Sequence, residues 1–188
     1  MTPGLFDDWR QEWRLRRGAA SFVEGLLADP GTDDVAKLAT LARVDEDRAR
    51  WELRYARRAL GMLVAQRDAL DDRTGSEVAR ELASAMHNDP HIAADMVKIA
   101  DRQLNERLAA YREVLTTRRP EEGTGKRLGR VLLRLTGWAG PAEDSQLEQV
   151  GDVMERFLTQ SNDALRKAFG TASLPEDLPP SAARSGKH

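Results

Sequence analysis

The chain contains no cysteine among its 188 residues. This absence excludes disulfide bonds, thiolate zinc sites and cysteine nucleophiles, and it argues against a small secreted scaffold. Long apolar runs are also missing, since no stretch approaches the ~20 residues with which a helix crosses a bilayer. The segment MTPGLFDDWRQEWRLRR lacks the continuous apolar core of a signal peptide. We therefore expect a cytoplasmic protein.

Isoleucine occurs only at Ile92 and Ile99, and valine is scattered along the chain. Nowhere do β-branched residues alternate with polar ones over the length of a strand, whereas Ala, Leu, Arg and Glu, which favour helices, are abundant. This composition predicts an all-α bundle of about six helices. We expect one helical domain over residues 1–170, with residues 1–28 packed on the bundle or extending as an arm. Residues 171–188 carry three prolines and no periodic pattern, which predicts a disordered tail.

Turn-forming residues divide the first half of the chain into three helices. The first helix should cover residues 5–28, with a weak point at Gly18. After the ADPGTDD turn, Asp33 or Asp34 should cap a short helix that ends near residue 43. Asp45 should cap a long helix that reaches residue 70. That helix is apolar on more than one side, which predicts a central position among several neighbours.

The second half of the chain contains further helical patterns. Ser76 is a suitable N-cap for a helix to residue 86, and Pro90 suits the first turn of a helix to residue 117. From Leu104 the apolar residues of that helix are spaced 4, 3 and 4 apart, as in antiparallel bundles. A basic helix then follows within residues 123–140, and a final helix should cover residues 142–169.

Residue types suited to catalysis are sparse. His87, Asp89, His91 and Asp95 are close in sequence, but a helix break separates the two histidines, so we expect turn and capping roles. The segment GTGKR at 123–127 does not have the spacing of a phosphate-binding loop. We expect no enzyme activity, no metal, no cofactor and no small-molecule substrate.

Residues 35–60 could form a helix-turn-helix, the DNA-binding motif whose second helix enters the major groove. Here that second helix would open with Asp45, Glu46 and Asp47, which phosphates repel. The formal net charge of the chain is −2, which does not favour a general polyanion binder. A nucleic-acid-binding regulator is therefore the alternative hypothesis.

Two segments combine tryptophan with arginine. In the first, Trp9 and Trp13 are four residues apart on one helical face, while Arg14 and Arg17 are on another. The second, GTGKRLGRVLLRLTGWAG at 123–140, contains four cations and no acid. Its cations and its aromatic residue are Lys126, Arg127, Arg130, Arg134 and Trp138. Such segments are typical of helices that contact a partner protein or an anionic membrane surface, although a core helix with a basic outer face would look the same.

The order of three blocks, ALGMLVAQRDAL, NERLAAYREVL and RVLLRLTGWAG, is similar to that of the ubiquinol–cytochrome c chaperone family of helical assembly factors. The central acidic block of that family has no counterpart here, so no family membership is predicted and no residue role is carried over.

We therefore predict a non-catalytic accessory protein: an adaptor, a small subunit or an assembly factor. It should bind a protein partner through the nine residues of the two Trp/Arg segments. A membrane surface, with peripheral attachment at the inner membrane, is a further candidate.

Overall fold

A computed structural model describes residues 5–69, 72–117 and 121–170, with side chains from residue 9 onward. The described residues form seven α-helices, one short 3-10 helix and no strand, which confirms the predicted all-α bundle. The α-helices are α1 (Leu5–Leu27), α2 (Thr32–Ala42), α3 (Glu46–Asp68), α4 (Asp72–His87), α5 (Val97–Thr116), α6 (Thr124–Leu135) and α7 (Asp144–Phe169), and the 3-10 helix is Ala94–Met96. The tail at 171–188, predicted to be disordered, is outside these ranges.

Helix α3 lies at the centre, as its wide apolar arc predicts. It contacts α1, α2, α4, α5 and α7, and residues 52–56 and 58–65 are buried. Asp45 is its N-cap, because the Asp45 carboxylate accepts a hydrogen bond of 2.7 Å from the backbone N–H of Arg48. All seven helices contribute to one hydrophobic core.

Helices α6 and α7 have the most extensive contact of any pair, because glycines allow their backbones to come close. A Cβ atom added at Gly151 of α7 would lie 2.8 Å from the carbonyl carbon of Gly125 in α6. A Cβ atom at Gly129 would lie 3.0 Å from the backbone nitrogen of Gly151. Such distances leave no space for a side chain, so the crossing depends on glycine.

Two capping predictions were wrong. Helix α2 begins after Gly31, which places Asp33 and Asp34 in its first turn, where carboxylates are favourable beside the helix dipole. Helix α4 begins at Asp72, so Ser76 lies within it. The Ser76 hydroxyl donates to the backbone carbonyl of Asp72 within the same helix, four residues earlier, and therefore does not act as an N-cap acceptor.

The helix predicted from Pro90 begins later, at Val97. The reason is Asp89, whose carboxylate accepts from the backbone N–H of His91 and whose carbonyl accepts from Ile92. These bonds form a turn that carries the chain across the bundle before α5 begins. Of the seam predicted from Leu104, Leu104 and Tyr111 are buried in the core, whereas Leu108 and Leu115 are only partly buried. The buried face of α5 also includes Arg107 and Val114.

Helix α1 is unbroken at Gly18, where a weak point was predicted. A Cβ atom at this position would meet the ring of Phe169 at 2.7 Å. Gly18 therefore lets the end of α7 pack closely on α1. In the described part of the chain, no helix is both long and apolar enough to cross a membrane.

Candidate functional site

The N-terminal half of α1 lies outside the core. Trp9 is 64% exposed and Trp13 is 51% exposed, and with Met96 they are the large hydrophobic side chains exposed in the described ranges. The two indoles are four residues apart and share one helical face. Continuous burial along α1 begins only at Gly18. We call residues 9–17 the arm.

Arginine side chains surround the two indoles of the arm. The Arg17 guanidinium lies 5.2 Å from the centroid of the Trp13 ring, within cation–π distance. Arg16 pairs with Glu12 at 2.5 Å. Arg10 and Arg14 are exposed and form no ion pair with any described side chain. With four arginines against one glutamate, the arm has a formal charge of +3.

The basic helix α6 is packed into the bundle. Leu128, Leu132 and Leu133 are buried against α7 and the core. The outer face carries the four predicted cations, so α6 is a core helix with a basic outer surface. These features are those of the core-helix alternative, and contact with a partner or a membrane stays a prediction. The contacts of each cation decide how much of it a partner could reach.

Three of the four α6 cations already have partners within the chain. Lys126 pairs with Glu148 at 2.9 Å, and Arg130 pairs with Glu122 at 2.6 Å. Arg127 donates a hydrogen bond of 2.6 Å to the carbonyl oxygen of Val114. Arg134 is exposed and forms no ion pair with a described residue.

Trp138, which follows α6, is half-buried. The Arg43 guanidinium lies 5.3 Å from its ring centroid, so the stacking partner of this indole belongs to the protein itself. Its buried Nε1–H has no acceptor among the described residues. Of the two predicted segments, the arm therefore presents much more aromatic and cationic surface to the exterior than α6 and Trp138 do.

Residues 35–60 have the helix order of a helix-turn-helix, in which α3 would be the recognition helix. The turn passes through Arg43, which has a left-handed backbone conformation, before Asp45 caps α3. Beyond the acidic first turn, residues 52–56 are all buried. The N-terminal turn of α3, which would contact the bases, is exposed and carries Glu46 and Asp47, which phosphates repel.

Two buried ion pairs cross the bundle. The two carboxylate oxygens of Glu52 accept hydrogen bonds of 2.7 and 3.1 Å from the Arg107 guanidinium. Arg58 donates to Asp89 at 2.6 Å, and its Nε and Nη1 have no partner among the described atoms. Glu52, Arg58 and Arg107 are each at most 5% exposed. These pairs join α3 to α5 and to the turn at Asp89.

Sequence reasoning missed both pairs, although one signal was present. Charged residues that fall inside the wide apolar arc of a central helix must be buried, and a buried charge requires a partner. Glu52 and Arg58 meet that condition. Their partners could not be found from the sequence, because Arg107 is 55 residues away from Glu52.

Burial in the bundle changes the pKa values of Asp89 and Tyr111. Burial alone would raise the pKa of Asp89, but hydrogen bonds from the His91 N–H and from Arg58 lower it below its ordinary value. Burial raises the pKa of Tyr111 far above the ordinary value for tyrosine. Asp89 therefore pairs with Arg58 and is not available as a metal ligand beside His87, His91 and Asp95. The described residues contain no group of three or more side chains arranged to hold a metal ion.

A cleft of about 490 Å³ lies between α3 and α5, within the usual size range of ligand sites. We call it the α3–α5 cleft. The rings of Trp51 and Tyr55 form part of its wall, and the Tyr55 hydroxyl is fixed by a hydrogen bond of 2.8 Å to Gln103. Its remaining lining residues are Asp45, Asp47, Arg48, Glu52, His91, Ile92, Ala93, Met96, Ile99 and Ala100.

The α3–α5 cleft combines an apolar interior with an acidic rim. Three carboxylates and one guanidinium line it, a formal charge of −2. Glu52 is neutralised by Arg107, and Asp45 is the cap of α3. Asp47 is exposed, with no ion pair to a described residue, and is therefore the carboxylate available to an outside group. Met96, 44% exposed, adds an apolar edge.

Comparison of the chain with protein-family models, with curated proteins and with solved structures finds no match.

Proposed function

We propose that this protein is a non-catalytic accessory protein that binds a protein partner through the arm of α1. One observation carries the proposal: two tryptophans, 64% and 51% exposed, share a face of a helix segment that the core does not cover. Tryptophan and arginine are the residues most enriched at binding hot spots, and each indole can bury about 150–250 Å².

The arrangement of the arm favours a protein groove over a lipid surface. An interfacial helix needs a broad apolar face to lie in the headgroup region. Between residues 9 and 17 the only further large apolar residue is Leu15, which is about 200° around the helix from Trp13. Leu15 is half-buried and borders the crevice between α1 and α4. Within residues 9–17 the outward apolar face therefore consists of two indoles, which Phe6 precedes at helical spacing in the sequence. A short aromatic row of this kind suits a pocket with acidic edges.

Affinity capture from the source organism tests this function. The bait proteins are the wild type, the Trp9→Ala/Trp13→Ala variant and the Arg130→Glu/Arg134→Glu variant. We expect a partner that the wild type and the arginine variant recover, and that the tryptophan variant loses by at least tenfold. Each bait is first tested for folding by circular dichroism, and soluble and detergent-extracted membrane fractions are analysed separately.

The arginine variant is the matched control, because it reverses two exposed charges and leaves the arm unchanged. Equal recovery of the partner by all three baits would contradict a role for the arm. If only the arginine variant loses the partner, the interface lies on the outer face of α6. A third outcome is that the wild type binds protein-free anionic vesicles and the tryptophan variant does not. That result would indicate that the arm binds a lipid surface and not a partner protein.

A further inference from the structure

The three exposed large hydrophobic side chains of the described residues fall in two places. Trp9 and Trp13 are on the arm, and Met96 is at the edge of the α3–α5 cleft. Residues 9–17 have a formal charge of +3, and Asp7 and Asp8 precede them in the sequence. The cleft lining has a formal charge of −2, although Glu52 in that lining is paired with Arg107. One chain therefore carries both an aromatic, basic arm and an apolar cleft with an acidic rim.

From this pairing we infer that the arm of one copy inserts into the α3–α5 cleft of a second copy. This inference rests on the binding role proposed for the arm, and it names a second copy of this protein as a molecule that the arm binds. We infer this occupant of the cleft from charge complementarity. Arg10 and Arg14 of the arm form no ion pair with a described side chain, and Asp47 at the rim of the cleft forms none either.

The arm does not fill the cleft of its own molecule. Trp9 and Trp13 are more than half exposed, and the helix that carries them is continuous with the packed part of α1. That packed part contacts α3, α4 and α7, whereas the cleft is bounded by α3 and α5. The contact must therefore form between molecules.

The area that the arms can bury favours reciprocal exchange. One arm contributes two indoles, roughly 300–500 Å² of aromatic surface, which is far less than a stable interface requires. Two arms exchanged between two copies double that area and add the surrounding contacts. The exchange also closes the assembly as a symmetric dimer, the most common form of homo-oligomer.

Size-exclusion chromatography with light scattering, over a wide concentration range, tests the inference on the full chain. We expect the mass to rise with concentration from 21.0 kDa to twice that value. Two charge-reversed variants, Arg10→Glu/Arg14→Glu and Asp47→Arg, should each remain monomeric, because like charges then meet at the cleft rim. Mixed in equal amounts they should form a heterodimer, since both of its contacts pair opposite charges.

The following results would overturn the contact between two copies. A wild type that stays monomeric at every concentration overturns the inference, as does a dimer that both variants retain. A mixture that fails to associate, when both variants are folded and the wild type is a dimer, also overturns it. The Trp9→Ala/Trp13→Ala variant provides an independent check, because it should abolish the dimer without any charge reversal.

The two proposals fail separately. If the wild type is monomeric but captures a different protein through Trp9 and Trp13, the accessory function stands and the self-contact is wrong. If the wild type dimerises through the arm and captures nothing else, the self-contact stands and the accessory function is wrong.

Discussion

Among single residues, the buried charges of α3 constrain the fold most strongly. A buried ion pair contributes little compared with an apolar pair of the same size, but the loss of one partner leaves an uncompensated charge in the core. Arg107 has a further contact, because its guanidinium lies 5.2 Å from the centroid of the Tyr55 ring. The position of α5 on α3 is therefore tied to the ion pair between Glu52 and Arg107.

Removal of the carboxylate of Glu52 should destabilise the protein severely. We expect Glu52→Ala to lower the free energy of unfolding by about 3–5 kcal/mol, because the Nε and Nη2 groups of the buried Arg107 then lose their acceptor. Arg107 would keep only the contacts of its Nη1 with Gln103 and Glu106. Urea denaturation followed by circular dichroism measures the change. Glu46→Ala is the matched control on α3, since Glu46 is 65% exposed and lies 3.8 Å from Arg50. A similar loss in both variants would show that burial of the pair is not the cause.

Asp89 should make stability depend on acid pH. Its pKa is below the ordinary value in the folded protein, so the unfolded chain binds a proton first as the pH falls. The stability that this group contributes is complete above its unfolded pKa of about 4 and is lost as the pH falls through the folded pKa.

The Asp89→Asn variant isolates this effect. At neutral pH it should be less stable than the wild type by about 3–5 kcal/mol, because Arg58 loses its partner. That difference should shrink as the pH falls below ~4, because Asp89 of the unfolded wild type is protonated there before Asp89 of the folded protein. Urea denaturation at a series of pH values gives the two curves, and Asp152→Asn at an exposed position of α7 is the control. A difference that is constant with pH would rule out titration of Asp89.

At the scale of the helices, periodicity and chain breakers predicted most of the architecture. The wide apolar arc placed α3 at the centre, and Asp45 fixed its start. The boundaries that were wrong, at Ser76 and Pro90, depended on bonds that the sequence does not display. The turn at Asp89 delays the start of the helix predicted from Pro90, and its carboxylate is held by the His91 N–H and by Arg58, which is 31 residues away.

The crossing of α6 and α7 could not be predicted from apolar residues either. The spacing of Leu128, Leu132 and Leu135 predicts that all three lie on the inner face of α6. The structure buries Leu133 instead and leaves Leu135 half-buried. The inner face is rotated because Gly125 and Gly129 turn towards α7. Glycine has no hydrophobicity that would reveal such a contact.

Gly151→Ala should therefore destabilise the protein. An added methyl group would lie 2.8–3.1 Å from backbone atoms of Gly125 and Lys126, so the two helices would have to separate. We expect a net loss of about 1–2 kcal/mol, even though alanine favours a helix by about 1 kcal/mol over glycine. Thermal unfolding measures the difference.

Gly25→Ala is the control for this prediction. Gly25 is an exposed position of α1 with no atom within 4 Å of an added Cβ. This variant should gain about 0.5–1 kcal/mol from the lower backbone entropy of its unfolded state. A stabilised Gly151→Ala variant would indicate that the α6–α7 backbone contact is looser than described.

At the scale of the whole molecule, folding and binding use different parts of α1. From Gly18 to Leu26 the helix supplies side chains to the core, whereas the arm supplies almost none. The sequence predicted both Trp/Arg segments, but only the fold separates an arm outside the core from a basic helix within it. The α3–α5 cleft was not predicted, because its walls come from residues 45–55 and 91–103, which tertiary packing brings together.

This division predicts that aromatic residues of the same helix differ greatly in their effect on stability. Trp9→Ala and Trp13→Ala, alone or together, should change the free energy of unfolding of the monomer by no more than about 0.5 kcal/mol, because both indoles are exposed. Phe22→Ala should lower it by about 3–5 kcal/mol, because Phe22 is 1% exposed and its removal leaves a cavity. Chemical denaturation at low protein concentration, where self-association is negligible, compares the variants. A large loss of monomer stability in the tryptophan variants would mean that the arm packs against the bundle, and both the proposed function and the contact between copies would then lose their exposed surface.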